Sequence, residues 1–251
     1  MIKIIMHGCN GKMGQVISEI VRNDEELTIV AGIDPYTMRE NEYPVFNDIN
    51  KCDIIADVII DFATATAVDK LLAYAKERKI PVVLCTTGLS EEQLKTVEEA
   101  SKEVAILKSA NMSVGVNLLF KLVQEATKML AKDYDIEIID RHHNQKVDAP
   151  SGTALAFADK INEVLDNEYE YVYDRSAERK KRSKKEIGFS AVRGGSIVGD
   201  HDIIFAGLDE VIEFHHSAYS KAVFAKGAVT AAKFLAGKPA GRYDMSDVIK
   251  F

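Results

Sequence analysis

Residues 3–21, KIIMHGCNGKMGQVISEIV, decide how the rest of the chain is read. Ile4, Ile5 and Met6 form a short apolar run of strand type, glycines follow at 8, 11 and 14, and Val16, Ile17, Ile20 and Val21 then recur at helical spacing. The succession is strand, glycine turn, helix. Gly8 permits the tight turn, Gly11 lets backbone amides approach a pyrophosphate with no Cβ in the way, and Gly14 permits close packing of the helix. The spacing is G-x-x-G-x-x-G, where G-x-G-x-x-G is commoner, and a glycine triplet alone is a weak signal. Its context strengthens it. A second apolar run over 27–33 ends at Asp34, about twenty residues past the turn, where a carboxylate can accept from an adenosine ribose hydroxyl.

Alternation of the same kind continues downstream. Residues 57–62, 81–84 and 104–107 read as strands, and a helix starting at Thr64 or Thr66 places Val68, Leu71, Leu72 and Ala75 on one face. Ser90 and Gln93 form a capping box for a helix to about 102. Ser113 is placed to cap a long amphipathic helix through 130. Such alternation implies a parallel sheet. Cys85, Thr86 and Thr87, and again Ser109, Ala110, Asn111 and Met112, lie past strand ends, where open α/β sheets place their ligands. After 130 the pattern changes. Runs over 136–139, 187–193, 202–205 and 211–215 look like strands without regular helices between them, which suggests a second domain on a mixed, open sheet. Residues 222–235 return to an amphipathic helix, with Val223, Phe224, Ala228, Ala231 and Leu235 apolar, expected to pack back on the first domain.

The densest chemistry lies in residues 136–156, IEIIDRHHNQKVDAPSGTALA. The strand-type run over 136–139 delivers His142 and His143 from its end, and Asp148, Ala149 and Pro150 then force an irregular connection. Ser151 or Thr153 can cap the helix that follows, leaving the amides of Gly152 and Thr153 to meet a carboxylate at its positive end. Lys146 adds a mobile cation. The segment reads as a site for a small anionic molecule, with an imidazole and an ammonium both able to give a proton. Adjacent side chains on an extended backbone point to opposite sides, so only one of the two histidines should face a reacting carbon. Residue chemistry does not say which.

A chain of 251 residues is long enough for two modest domains, each with its own core. The net charge of -7 argues against a general polyanion binder. Arg179, Lys180, Lys181, Arg182, Lys184 and Lys185 form one basic run, a pattern usual in solvated loops, with no aromatic interleaving to suggest nucleic acid. No apolar run approaches a membrane span, and the opening MIKIIMHG enters a strand without the features of a signal peptide. Cys9, Cys52 and Cys85 are scattered and odd in number, which fits neither a disulfide framework nor a Cys-x-x-Cys metal site. A cytoplasmic protein with no metal, membrane or nucleic-acid partner is expected.

The run HHNQKVDAPSGTA closely resembles the signature of the bacterial dihydrodipicolinate reductases, also called 4-hydroxy-tetrahydrodipicolinate reductases, of the diaminopimelate route to lysine. The resemblance spans nearly the whole chain through HGCNGKMG, CTTGLS, SANMSVGVN, AVRGGSIVGDH and FHHSAYSKAVFAKGA. It implies an α/β protein with a Rossmann-like dinucleotide-binding domain from residues 1–113 and 221–251. A second, smaller α+β domain on a mixed open sheet, residues 114–220, would bind the substrate and join a homotetramer. It also implies NAD(P)H-dependent reduction of the cyclic product of pyruvate and aspartate semialdehyde, a small dicarboxylate. Carried over by position, Gly8, Cys9, Asn10, Gly11, Lys12 and Met13 would hold the pyrophosphate and Asp34 the ribose. Cys85, Thr86, Thr87, Ser109, Ala110, Asn111 and Met112 would flank the nicotinamide. His142 resembles the family's proton donor and Lys146 its partner acid, while His143, Gly152 and Thr153 would bind substrate carboxylates.

The chain departs from the family pattern in several places. Cys85 stands where glycine is usual, Met112 where phenylalanine is frequent, and Lys221 where arginine is common. Pro35 follows Asp34 where arginine often follows the acid. Asp34 favours NADH and repels the extra phosphate of NADPH, while Lys12 or Arg39 offers a replacement cation, so dual use with NADH preferred is expected. Other readings are a dinucleotide-sensing regulator, which lacks a DNA-reading module, and a zinc protein using His142, His143 and His201, which lack the i, i+4 spacing of a helical site. A thiol at Cys85 also raises acyl transfer as an alternative, but no activating base is apparent nearby.

Overall fold

Seven parallel strands, in the order β12-β6-β5-β4-β1-β2-β3, form the sheet of the first unit. They are β1 (Ile2–His7), β2 (Leu27–Ile33), β3 (Val45–Phe46), β4 (Val58–Asp61), β5 (Val82–Leu84), β6 (Ala105–Leu107) and β12 (Gly241–Tyr243). The computed structural model describes residues 1–176 and 179–249. The chain divides into one unit of Met1–Val114 with Ala222–Phe251 and a second of Gly115–Lys221. Each crossing lies one residue beyond the boundary expected from sequence, and residues 250 and 251 of the expected first domain lie outside the described residues.

Successive strand residues point to opposite faces, and both faces of the first sheet are covered. Ile4 and Met6 pack with Ile17 and Val21 of α1 (Lys12–Arg22) and with Ala228 and Leu235 of α6 (Ala222–Leu235). Ile5 and Ile59 pack on the other side with Leu71 and Leu72 of α2 (Val68–Arg78) and Val97 of α3 (Glu91–Ser101). Burial on both sides is why the strands read as continuous apolar runs. The return of the chain through α6 needs Gly227, since a Cβ there would lie 1.6 Å from the Met112 carbonyl oxygen. The predicted capping box is present: Ser90 accepts from the Gln93 amide and Gln93 returns a bond to the Ser90 amide. Thr64 and Thr66 do not cap α2. Their hydroxyls bond each other at 2.9 Å, and a short 3₁₀ turn, Ala65–Ala67, precedes the helix.

The second unit is a five-stranded mixed sheet in the order β11-β10-β7-β9-β8. Its strands are β7 (Asp135–His142), β8 (Glu170–Val172), β9 (Glu186–Arg193), β10 (Gly199–Ala206) and β11 (Val211–Ala218). β7 runs antiparallel to β10 and parallel to β9. Its core lies on one face, where Phe120 and Val123 of α4 (Val114–Leu130) and Phe157 and Ile161 of α5 (Gly152–Val164) meet Ile138, Ile203 and Phe205. Phe120 and Phe157 pack edge to face with centroids 4.6 Å apart. On the other face Ile139 and Ile204 stay half-buried, and Val192 is 45% exposed.

Two sequence expectations change here. β7 continues to His142 instead of ending at residue 139, because its polar last turn still pairs with β9 and β10. The basic run is only partly a solvated loop. Arg182 bonds the carboxylates of Asp135 and Glu137 and the carbonyls of Ile136 and Glu186, so it staples the strand edge, and Lys185 pairs with Glu168.

Candidate active site

At the carboxyl ends of the first sheet the glycine turn has the expected form. Gly8 has φ +82, and a Cβ there would lie 2.6 Å from the Phe62 carbonyl oxygen. A Cβ on Gly14 would lie 2.3 Å from the Gly8 carbonyl oxygen, so the helix can start this close only with glycine. No side chain caps α1, whose N-cap is Gly11, and its first amides are left for another acceptor. A cavity of about 450 Å³ opens beside the turn, walled by Gly8, Gly11, Asp34, Pro35, Thr64 and Lys70 among others. An uncapped helix start, glycine turn and terminal carboxylate beside a cavity fit a dinucleotide.

Several predicted residues of this region have side chains engaged within the protein. The Cys9 thiol is buried against Gly32, and desolvation, then the Asp34 carboxylate, push it up to about 12. Its carbonyl accepts from Gln15 at 2.9 Å. The side chain of Asn10 donates to the Tyr36 carbonyl and accepts from Asn41, tying the turn to the loop after β2. Met13 packs against the core, Lys12 is exposed, and Met112 is 6% exposed within the core. Asp34 accepts from the amides of Asn10 and Tyr36, both at 3.0 Å, which orients the carboxylate and leaves lone pairs for hydroxyls.

Asp61, not singled out in sequence, joins three strand ends. This fully buried carboxylate bonds His7 Nδ1 at 2.6 Å and accepts from the Thr86 hydroxyl at 2.6 Å and the Ala63 amide at 3.2 Å. Thr86 is thereby committed, while Thr87 and Ala110 are exposed and Ser109 is half-buried. Asn111 is buried and accepts from the Ser113 amide at 2.8 Å. Burial, then Asp61, push the Cys85 thiol well above its ordinary value, which disfavours the thiolate that acyl transfer would need.

The second unit gathers side chains on the covered face of its sheet. Asp140 and His142 share that face of β7, His201 of β10 lies directly opposite Asp140, and Gly199 lies opposite His142. A Cβ on Gly199 would come within 3.0 Å of His142 Nε2, so the glycine makes room for the ring. His142 Nδ1 meets Asp140 at 3.0 Å. Desolvation lowers the His142 pKa, against the pull of Asp140 and with Lys146 and Arg193 adding repulsion. His143 begins the loop and is half-buried.

Of the two candidate caps Ser151 is the one that caps α5, accepting from the Ala154 amide at 3.2 Å. The same hydroxyl lies 3.1 Å from His201 Nε2, where the imidazole tautomer decides which of the two donates. Burial lowers the His201 pKa to about 4, assisted by the neighbouring His142. Gly152 opens the helix in exposed surroundings, with no atom within 4 Å of a Cβ placed there, and Thr153 follows half-buried. The Lys146 ammonium pairs with Asp148 at 2.7 Å. Arg193 bonds Asp140 at 3.1 Å and the Asp148 carbonyl at 2.6 Å, anchoring the loop to the sheet.

The structure thus brings His142, Ser151 and the amide end of α5 together around Asp140, and adds Arg193 and His201. Asp140 stands two residues before His142, the spacing of one strand face, so period-two reading had the signal. His201 and Arg193 needed the pairing of β7 with its neighbours. Asp140, His142 and His201 also bring possible metal ligands within 4.8 Å of one another, a different trio from the three histidines weighed above. Arg193 on the same carboxylate opposes a cation there.

Comparison with known proteins agrees with this architecture. The family model for the N-terminus of dihydrodipicolinate reductase matches residues 2–112, and that for its C-terminus matches residues 115–249. The chain is 54% identical to the 4-hydroxy-tetrahydrodipicolinate reductase of Caldanaerobacter subterraneus subsp. tengcongensis, covering 100% of this chain and 99% of the relative. It is 51% identical to that of Clostridium novyi at the same coverage. Among solved structures, the dipicolinate-bound dihydrodipicolinate reductase from Paenisporosarcina sp. TG-14 superposes with a TM-score of 0.83 at 25% identity, over 99% of this chain and 100% of the other. The chain belongs to the dihydrodipicolinate reductase family of oxidoreductases.

Proposed function

We propose that the protein reduces 4-hydroxy-tetrahydrodipicolinate to tetrahydrodipicolinate with a nicotinamide dinucleotide, in the diaminopimelate route to lysine. The observation that carries this reading is the corner of the second unit where His142 and the capped start of α5 share Asp140. Full-length relatives that bear the name of this activity support it. So does the dipicolinate bound to the Paenisporosarcina enzyme, a ring with two carboxylates.

The glycine turn from Gly8 to Met13 holds the pyrophosphate on its amides, and Asp34 accepts from ribose hydroxyls. Cys85, Thr86, Thr87 and the Ser109 to Met112 loop lie on the nicotinamide side. When bound, the nicotinamide supplies the hydride. In the second unit the amides of Gly152 and Thr153, with His143, bind substrate carboxylates at the positive end of α5. His142 gives the proton that must follow hydride addition, and Lys146 is its partner acid. The substrate helps to charge that acid. With no ligand, burial disfavours the imidazolium, whereas two carboxylates beside the ring favour it, so substrate binding promotes proton uptake.

Both NADH and NADPH serve in this reading, with NADH preferred. The enzyme is a cytoplasmic homotetramer built through the open face of the second sheet, where Ile139, Ile204, Val192 and Val211 lie on the side away from α4 and α5. Among the described residues no helix is long and apolar enough to cross a membrane. The test of function is direct: the condensation product of pyruvate and aspartate semialdehyde is added, and NADH absorbance is followed. No substrate-dependent oxidation with either cofactor sinks the proposal. Analytical ultracentrifugation tests the tetramer, and a charged substitution at Ile139 or Ile204 should dissociate it.

A further inference from the structure

The Asp140 side chain ties β7 to the start of α5 and to β9. Its carboxylate is 1% exposed, and three segments converge on one oxygen: His142 Nδ1 bonds it at 3.0 Å, the Ser151 amide donates at 3.3 Å and the Arg193 guanidinium forms an ion pair with Nη2 at 3.1 Å. A carboxylate only accepts, so the ring nitrogen that faces it must carry the hydrogen. The opposite edge of the ring is set by Gly199, where a Cβ would crowd Nε2 at 3.0 Å. The imidazole is therefore gripped at one nitrogen and given space at the other. The same carboxylate holds the amide of the residue that caps α5, the helix whose first amides meet substrate carboxylates in the proposed function.

We infer that Asp140 is a positioning residue for the reduction: it fixes His142 with hydrogen on Nδ1, makes Nε2 the nitrogen that exchanges a proton with substrate, and registers that ring with the start of α5. This rests on the assignment of His142 as proton donor. Arg193 serves the arrangement by neutralising the carboxylate without displacing the ring. The groups that face His142 are Asp140, Lys146, Arg193 and His201. Only Asp140 favours the imidazolium, so its loss leaves Lys146 and Arg193 opposing charge on the ring.

The test is Asp140→Asn, an exchange that keeps shape and one acceptor oxygen. An amide can turn its NH₂ toward the ring, making Nδ1 an acceptor and moving the neutral proton to Nε2, the wrong tautomer for this role. We expect kcat to fall on the order of 10²-fold with KM for substrate much less affected. The descending limb of the pH profile should move to lower pH, and ¹⁵N spectra of the histidine rings should show Nδ1 of His142 losing its hydrogen. A merely structural role would lower the melting temperature without moving the tautomer or the profile. Retention of the Nδ1 hydrogen, or an unchanged kcat in a folded variant, overturns the inference. His142→Ala is measured alongside: if it keeps full turnover the donor assignment itself is wrong, whereas loss there with none in Asp140→Asn rejects the positioning role alone. Should Asp140→Asn fail to fold, Asp140→Glu retains the charge and should keep the Nδ1 hydrogen with kcat within about tenfold of the wild type. A folded Asp140→Glu that loses that hydrogen at full turnover is equally decisive against it.

Discussion

The first sheet is apolar on both faces up to its carboxyl edge, so its polar groups gather at strand ends, where Asp34 and Asp61 bond backbone amides and neighbouring side chains. The second sheet keeps polar side chains inside its covered face, with Asp140, His142 and His201 in line with the isoleucines of the core. The difference separates two ways of building a site. One exposes backbone donors by removing side chains, which costs little desolvation. The other buries ionisable groups and stabilises them by mutual hydrogen bonds, which gives reactive chemistry at the expense of sensitivity to pH.

The sharpest way to break this contrast is to remove the proposed acids. His142→Ala and Lys146→Ala should each lower kcat by a factor on the order of 10² to 10⁴, the loss expected for a positioned acid. Dissociation constants for NADH, measured by fluorescence, should barely move, because the residues proposed to bind it belong to the other unit. Wild-type turnover in both folded variants would remove this loop from the chemistry.

Stability should show the same asymmetry as pH falls. His201 has a folded pKa near 4 against an ordinary value of 6.5, so the unfolded chain binds its proton first. Its burial penalty is absent above about pH 6.5, grows as pH falls, and is complete below the folded value, reaching roughly 3 kcal/mol. His142 and His216, also lowered by burial, act with the same sign. Urea unfolding of wild type and His201→Gln at pH 7 and pH 4.5 measures it: the variant should lose less stability on acidification. Equal losses would show that His201 does not titrate as its burial requires.

A pair of glycines contrasts the two units at smaller scale. Gly14→Ala forces a Cβ against the carbonyls of Gly8 and Cys9, so the turn must shift, at about 1–3 kcal/mol of stability and a weaker grip on the cofactor. Gly152→Val meets open space, so its melting temperature should hold while KM for substrate rises about tenfold through obstruction of the helix start. Unchanged KM would mean that the carboxylate binds elsewhere.

What could be read in advance follows the same division. The glycine turn, Asp34, the Ser90 box and α6 are local patterns, in which residues a few positions apart determine the geometry, and they appear where expected. β3, β8 and β12 are two or three residues long and lack the continuous apolar run that marks β5 and β6, which are just as short. The polar corner was legible only in its local half. His142, Lys146 and Ser151 lie in one stretch, but the approach of His201 and Arg193 depends on how β7 aligns with β10 and β9, which no local spacing encodes. The basic run misled for a related reason: Arg182 finds its carboxylates on strands that composition cannot place beside it.

The smallest expected effect concerns cofactor choice. Asp34 accepts from two amides and presents its remaining lone pairs at the cavity, an arrangement suited to ribose hydroxyls and repellent to a phosphate. Pro35, beside it on the wall, adds neither charge nor amide donor. The sequence suggested Lys12 or Arg39 as the cation for NADPH, but both are exposed and neither lines the cavity, whereas Lys70 of α2 stands on its wall with Asp48 at 3.9 Å. So loose a pair leaves the ammonium free to turn toward a phosphate, as a point charge of modest strength. Lys70→Ala should therefore lower kcat/KM for NADPH about two- to fivefold, the size of an exposed ion pair, and leave NADH nearly unchanged. Lys12→Ala should act in the same direction and less. Equal losses with both cofactors would take Lys70 out of the discrimination, and a wild-type enzyme that strongly prefers NADPH would overturn the reading of Asp34 and Pro35.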